Sequence, residues 1–368
     1  MSLLRIVYGL PFFLLLLVGS AQAVDYHIET LASGLEHPWS LAFLPDGRML
    51  VTERAGRLRV FEHGRLREEP VSGVPDSLVR NQGGLFEVLP DPEFADNGSI
   101  YLSQAHGSAR ANTTRLLRGR LEDMTLHDVE VLFEARPTRA APVHFGGRMA
   151  FLPDATLVLG LGDGFDDRED AQRLDSHTGS IVRLHRDGRV PDDNPFVDHD
   201  GALPEIYSYG HRNVQGLVHD PENNRLWSHE HGPRGGDELN VIEPGENYGW
   251  PIVSHGIDYS GARITPYTSL PGMRDPVRHW TPAIAPSGMT LYRGELFPEW
   301  QGSLFISSLV QRQVRRVTPG AEGGVESEEV LFAEIGERLR DIRSGPDGAL
   351  YLLTDKPDGR VLRVTPAP

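Results

Sequence analysis

The chain contains no cysteine and one lysine, Lys356. Without cysteine no disulfide can staple it, so even in an oxidising compartment packing, closure or a bound metal must hold the fold together. Positive charge is also scarce. Asp and Glu number 52 against 36 Lys and Arg, for a net charge of -16, and nearly every cation is an arginine. Such a surface repels nucleic acid and anionic lipid, and better suits a metal ion or a neutral, polyhydroxylated ligand. Long apolar runs are missing after the first residues. The run Ile6 to Val18 is shorter than the roughly 18 to 20 residues a membrane-spanning helix needs. Arg5 precedes it and Ala21-Gln22-Ala23 follows, the layout of a secretory signal. We therefore expect a signal peptide over residues 1–23, cleaved after Ala23, and export to the periplasm or medium with no membrane span. Residues 24–368 are expected to form one domain.

A sustained helical stripe is absent too. What recurs six times is a short apolar strand, a turn built on Pro with Asp, Glu, Asn or Gly, and a second apolar strand. Leu41 to Thr52 around Pro45-Asp46-Gly47 is the clearest copy. The others centre on Pro90, Pro153, Pro221, Pro298 and Pro346, the fifth being read as Leu296 to Ser307 around Pro298. Proline fixes φ, Asp bonds its own backbone and Gly accepts a left-handed conformation, so each copy reads as a hairpin. Many continue into a strand where Leu or Val alternates with Arg, as in Arg57-Leu58-Arg59-Val60-Phe61 and Gly179 to Leu184, which puts the arginines on a wetter face. The intervals between turn prolines fit blades of about 40 to 50 residues enlarged by loops. The expected fold is all-β, a six-bladed β-propeller, with the chemistry on loops at one end of its channel.

Six segments carry candidate chemistry. Asn81-Gln82-Gly83-Gly84-Leu85 sets an amide and two glycines before a strand. His144-Phe145-Gly146-Gly147-Arg148-Met149 does the same with a histidine, whose pKa near 6.5 makes it a candidate general base, with the glycines clearing room for substrate. Gly160-Leu161-Gly162-Asp163-Gly164 follows a strand; Asp163, nearest the rim, can bind calcium or orient a histidine, though the spacing is not that of an EF-hand. Gly210-His211-Arg212-Asn213 offers a planar fork for a carboxylate. The densest polar loop runs from His229 to Asn240. His229 and His231 raise a zinc reading, whereas Gly232-Pro233 carbonyls with Asp237 and Glu238 suit calcium. Finally, Arg338 and Arg340 share one face of an extended strand and call for an anionic partner.

Together these segments resemble the soluble pyrroloquinoline quinone (PQQ) dependent aldose dehydrogenases, the glucose and sorbosone dehydrogenase-like family, from about Leu35 to Thr365. The resemblance implies a six-bladed propeller with PQQ over the channel mouth. It makes His144 the general base, Asp163 its acidic partner and Gln82 a substrate neighbour. Arg212, Asn213, Arg338 and Arg340 would contact the tricarboxylate quinone. The carbonyls of Gly232 and Pro233 would ligate an active-site Ca²⁺, with a second calcium near Glu238 and Tyr248. Val310 stands where some glucose-oxidising members place a lysine, and Thr281-Pro282-Ala283 stands where they have Trp-Pro-Thr. These departures imply an open site and breadth toward aldoses, disaccharides included, with electrons passed to an external acceptor. Two other functions fit the fold. One is a calcium-dependent lactonase or other hydrolase using Glu238, Asn240 and Asp163, which leaves the three arginines without a task; the other is a non-catalytic binding propeller.

Overall fold

In the computed structural model, which describes residues 24–321 and 323–368, six apolar clusters occupy the six seams between neighbouring sheets. The cause is strand periodicity. Successive side chains point to opposite faces, and each sheet is covered on both. In Met49–Glu53, Leu50 packs toward the following blade with Leu85, Ile100 and Leu102, while Met49 and Val51 pack back against Leu353 and Val361. Strands covered on both sides therefore read as unbroken apolar runs, such as Leu157–Leu161 and Leu350–Thr354. These seams do what disulfides cannot do in a chain without cysteine.

Each blade is a four-stranded antiparallel sheet. The innermost strands are Pro38–Phe43, Leu85–Pro90, Gly146–Phe151, Val214–Asp220, Pro286–Leu291 and Leu339–Ser344. Each touches the next around the ring, and the sixth touches the first. The last blade borrows its outer strand: Tyr26–Leu35 pairs antiparallel with Gly359–Pro366, Ile28 opposite Val364. Helix among the described residues amounts to one short α-helix, Phe94–Asn97, and three 3₁₀ turns.

The expected six-bladed propeller is the observed fold. Two local expectations change. Pro298 does not turn a hairpin directly: it opens the 3₁₀ turn Pro298–Trp300 between Pro286–Leu291 and Leu304–Ser308, so the blade begins ten residues before Leu296. The alternating arginines lie on a wetter face in Arg57–Glu62, but Arg183 is buried, held by Thr156, Asp154 and Asp193. No helix among the described residues is long and apolar enough to cross a membrane. The expected signal over residues 1–23 lies outside the described residues.

Candidate functional site

His144 sits at the entry to the third innermost strand with φ of 49°, in the left-handed region. A non-glycine residue holds that conformation only when its surroundings fix it, and here both backbone groups are tied. Its N–H donates to Gln82 Oε1 at 2.9 Å, and its carbonyl accepts from Arg139 Nη1 at 2.9 Å. The same Arg139 nitrogen reaches the Gly162 carbonyl at 2.8 Å, and burial pulls Arg139 down to about 10. The glycines beside His144 serve packing rather than substrate. A Cβ on Gly146 would lie 2.3 Å from the Gly160 carbonyl, and one on Gly147 would lie 2.8 Å from the Phe86 ring.

The imidazole Nδ1 lies 2.7 Å from Asp163 Oδ1. Asp163 is fully engaged: Oδ1 also accepts the Phe165 N–H at 2.8 Å, and Oδ2 accepts Trp250 Nε1–H at 2.8 Å. Burial alone would raise the carboxyl, but His144, Arg212 and the Phe165 amide hold it below the usual Asp range, so it is ionised. An ionised acceptor places the proton on Nδ1 and leaves Nε2 as the basic nitrogen. Burial, reinforced by Arg212 and Arg139 against the pull of Asp163, keeps His144 below its ordinary 6.5. At neutral pH the ring is uncharged and able to take a proton.

His144 opens on a cavity of about 840 Å³ that Gln82, Arg212, His231, Gly232, Pro233, Thr281 and Val310 also line. A second hollow of about 240 Å³ adjoins it, sharing Gln82, His231, Ala285 and Val310 and adding Asn213, Arg54, Arg338, Arg340 and Asp355. The structure thus brings together His144, Gln82, Arg212, Asn213, Gly232, Pro233, Arg338 and Arg340, with Asp163 directly behind the histidine.

The cations here are under-compensated. Arg340 and Arg338 both reach one oxygen of Asp355, at 3.0 and 3.4 Å, and His37 takes the other at 2.9 Å. Burial would raise Asp355, yet Arg340, His37 and Arg338 hold it far below the usual range. Arg212 Nη1 donates to the carbonyls of His231 and Gly232, at 3.0 and 2.7 Å, while its buried Nε has no partner. Asn213 Oδ1 accepts from Gly146 N–H at 3.1 Å, which leaves its NH₂ for a ligand. These spare donors fit a planar, multiply anionic molecule. Among the described residues no group of three or more His, Asp or Glu side chains is disposed to hold a metal, so a cation here would rest on carbonyl oxygens such as those of Gly232 and Pro233.

Glu238 and Tyr248 do not line the cavity. Glu238 faces Glu230 across adjacent strands, and burial and that neighbour push it well above its usual value. The Tyr248 hydroxyl donates to the Val241 carbonyl at 2.7 Å and accepts Glu243 N–H at 2.8 Å, so only its backbone is free to ligate. Asp237 is committed as well, taking the amides of Gly232, Ile284 and Ala285, and burial pushes it up to about 6. The zinc reading has no support, because His229 packs over Gly216 while His231 Nε2 bonds the Pro286 carbonyl at 2.7 Å.

Arg139, Trp250 and Asp355 escaped the sequence reading. Asp355 was findable, because it follows a blade's second strand as Asp163 does.

The match to known proteins follows the same outline. Residues 35–363 match the family described as Glucose / Sorbosone dehydrogenase. The aldose sugar dehydrogenase YliI of Escherichia coli K12 is 42% identical over 352 residues, covering 94% of each chain. Quinoprotein glucose dehydrogenase B of Acinetobacter calcoaceticus is 26% identical over 440 residues, covering 93% of this chain and 89% of that one. The PQQ-bound aldose sugar dehydrogenase of Streptomyces coelicolor superposes with a TM-score of 0.77 at 29% identity, over 94% of this chain and 99% of its own. This chain belongs to the glucose/sorbosone dehydrogenase family.

Proposed function

We propose that the protein is an exported, PQQ- and calcium-dependent dehydrogenase that oxidises aldoses at C1 to aldonolactones. The observation that carries this reading is the proximity of a neutral, carboxylate-backed His144 to spare guanidinium donors in connected hollows. Arg212, Asn213, Arg338 and Arg340 would hold the three carboxylates of the quinone, and the Gly232 and Pro233 carbonyls its calcium. Bound there, the quinone supplies a two-electron hydride acceptor that an external partner re-oxidises, with calcium as Lewis acid.

The protein's own part is positioning and proton transfer. His144 Nε2 takes the proton of the anomeric hydroxyl, a step typically worth about 10²- to 10⁴-fold. Asp163 orients the ring and stabilises the imidazolium that forms. Gln82 fixes the His144 backbone through its carbonyl oxygen and leaves its NH₂ toward the sugar. Thr281 and Val310, in place of bulkier or charged groups, leave room for disaccharides. A second calcium beside Glu238 and the Tyr248 carbonyl would relieve the like-charged Glu230–Glu238 pair. The hydrolase reading loses support because Asp163 is committed to His144, Phe165 and Trp250, and Glu238 and Asn240 lie outside the cavity.

The test mixes mature protein with PQQ and excess calcium and follows aldose-dependent dye reduction alongside lactone hydrolysis. Dye reduction that needs both additions and collapses in His144→Gln supports the proposal. Hydrolysis with calcium alone would replace it with the lactonase.

A further inference from the structure

Arg148, four residues after the candidate base, has no place in the chemistry above, yet it is buried at the centre of the ring. Its guanidinium meets all five other innermost strands. Nε donates to the Gln215 carbonyl at 3.0 Å, and Nη2 donates to the carbonyls of Ser287 at 2.9 Å and Arg340 at 3.2 Å. Nη1 lies 3.1 Å from Asp341 Oδ1 and 3.5 Å from Glu87 Oε1. The cation also stacks 4.1 Å over the Trp39 ring. With its own strand, one side chain thus bridges every blade. Three of these partners, Trp39, Gln215 and Arg340, line the smaller hollow where the spare arginines gather.

We infer that Arg148 is a positioning residue for anion binding: it fixes the floor of that hollow and, through the Arg340 carbonyl, aims the Arg338–Arg340 pair at the ligand. The inference rests on the proposed function insofar as the anion is PQQ. A planar five-donor fork can hold carbonyls on three strands at once, whereas a lysine presents a point charge with no fixed plane. A neighbouring residue supplies the control. Arg343 pairs with the same two carboxylates, Glu87 and Asp341, and makes none of the carbonyl contacts to Gln215, Ser287 or Arg340.

The test compares wild type, Arg148→Met, Arg148→Lys and Arg343→Met by thermal unfolding and by equilibrium dialysis of PQQ against the calcium-loaded apoprotein. Both methionine variants should lose stability, since each strips a cation from buried carboxylates. Affinity for PQQ should fall about tenfold or more, about 1.4 kcal/mol, in Arg148→Met and remain near wild type in Arg343→Met. Arg148→Lys should fold and bind weakly, and it stands in if the methionine variant does not fold. Combined with Arg340→Gln, the loss should be less than multiplicative, because both changes disable one device. Wild-type affinity in a folded Arg148 variant, or an equal loss in Arg343→Met, overturns the inference. Failure of wild type to bind PQQ would overturn the cofactor assignment and this inference with it.

Discussion

Asp163→Asn is the sharpest single perturbation of the site. The exchange keeps shape and removes one charge, but three donors converge on the carboxylate: His144 Nδ1–H at 2.7 Å, Phe165 N–H at 2.8 Å and Trp250 Nε1–H at 2.8 Å. An amide has one oxygen, so its NH₂ must face either Trp250 or His144, and in the second case the imidazole proton moves to Nε2 and the base is lost. The electrostatic loss is large as well. Opposite charges about 4 Å apart at an effective dielectric of about 20 attract by about 4 kcal/mol, which is about three powers of ten in rate. A fall of about 10³-fold in kcat is therefore expected, together with a lower melting temperature, because the buried N–H of Trp250 or of Phe165 loses its acceptor. The pH dependence carries a sign. Asp163 raises the His144 pKa against burial, Arg212 and Arg139, so without it imidazole protonation occurs at lower pH. The acid limb of kcat/KM, already below about 6.5 in wild type, should move further down as the rate falls. Dye-linked kinetics of the PQQ- and calcium-loaded enzyme across the pH range measure both. A variant that keeps more than a tenth of the activity, or whose acid limb moves up, refutes the assignment of Asp163 as the partner of the base.

Arg139→Met should lower both melting temperature and kcat, since the carbonyls of His144 and Gly162 lose a charged donor worth about 1.5 to 3 kcal/mol; calorimetry and dye-linked rates check it. Asp355→Asn should destabilise the protein at neutral pH. Because the folded-state pKa of Asp355 is depressed, its contribution exists above the unfolded value of about 3.9 and fades as pH falls below that, so the gap in melting temperature from wild type should close on acidification. Tyr259, which lines the larger cavity, stacks on Phe165 at 6.2 Å, and Phe165 lies edge-on to His144. Tyr259→Ala should raise KM for a reducing disaccharide several-fold more than for its monosaccharide, and equal effects on the two sugars would rule out an aromatic platform there.

The architecture was legible because each blade is a local pattern: apolar strand, proline turn, apolar strand. Where a longer insertion intervened, at Pro298, the turn proline no longer marked the hairpin. The candidate base and its partner were legible for a similar reason, since His144 and Asp163 occupy the ends of two strands of one blade, Gly146–Phe151 and Leu157–Leu161. Two of the residues that escaped, unlike the nearby Arg139, are contributed by distant segments. Trp250 reaches Asp163 from 87 residues away, and Asp355 meets His37 across 318; no spacing in the chain announces either contact. The paired glycines were read as room for a ligand, whereas the close approach they permit is to the Gly160 carbonyl and the Phe86 ring, because a glycine pattern does not say which neighbour comes near.

The strand that starts the ring and the strand that completes it lie at opposite ends of the chain, Tyr26–Leu35 against Gly359–Pro366. The first of these emerges long before the last, so five blades can form while Tyr26–Leu35 waits with an unsatisfied edge. Closing so long a loop costs entropy before the last two seams are gained, and exposed edges recruit wrong partners in the interval. Final assembly of this molecule is therefore an end-to-end event, and chaperone dependence should concentrate in the time between synthesis of the first strand and docking of the last.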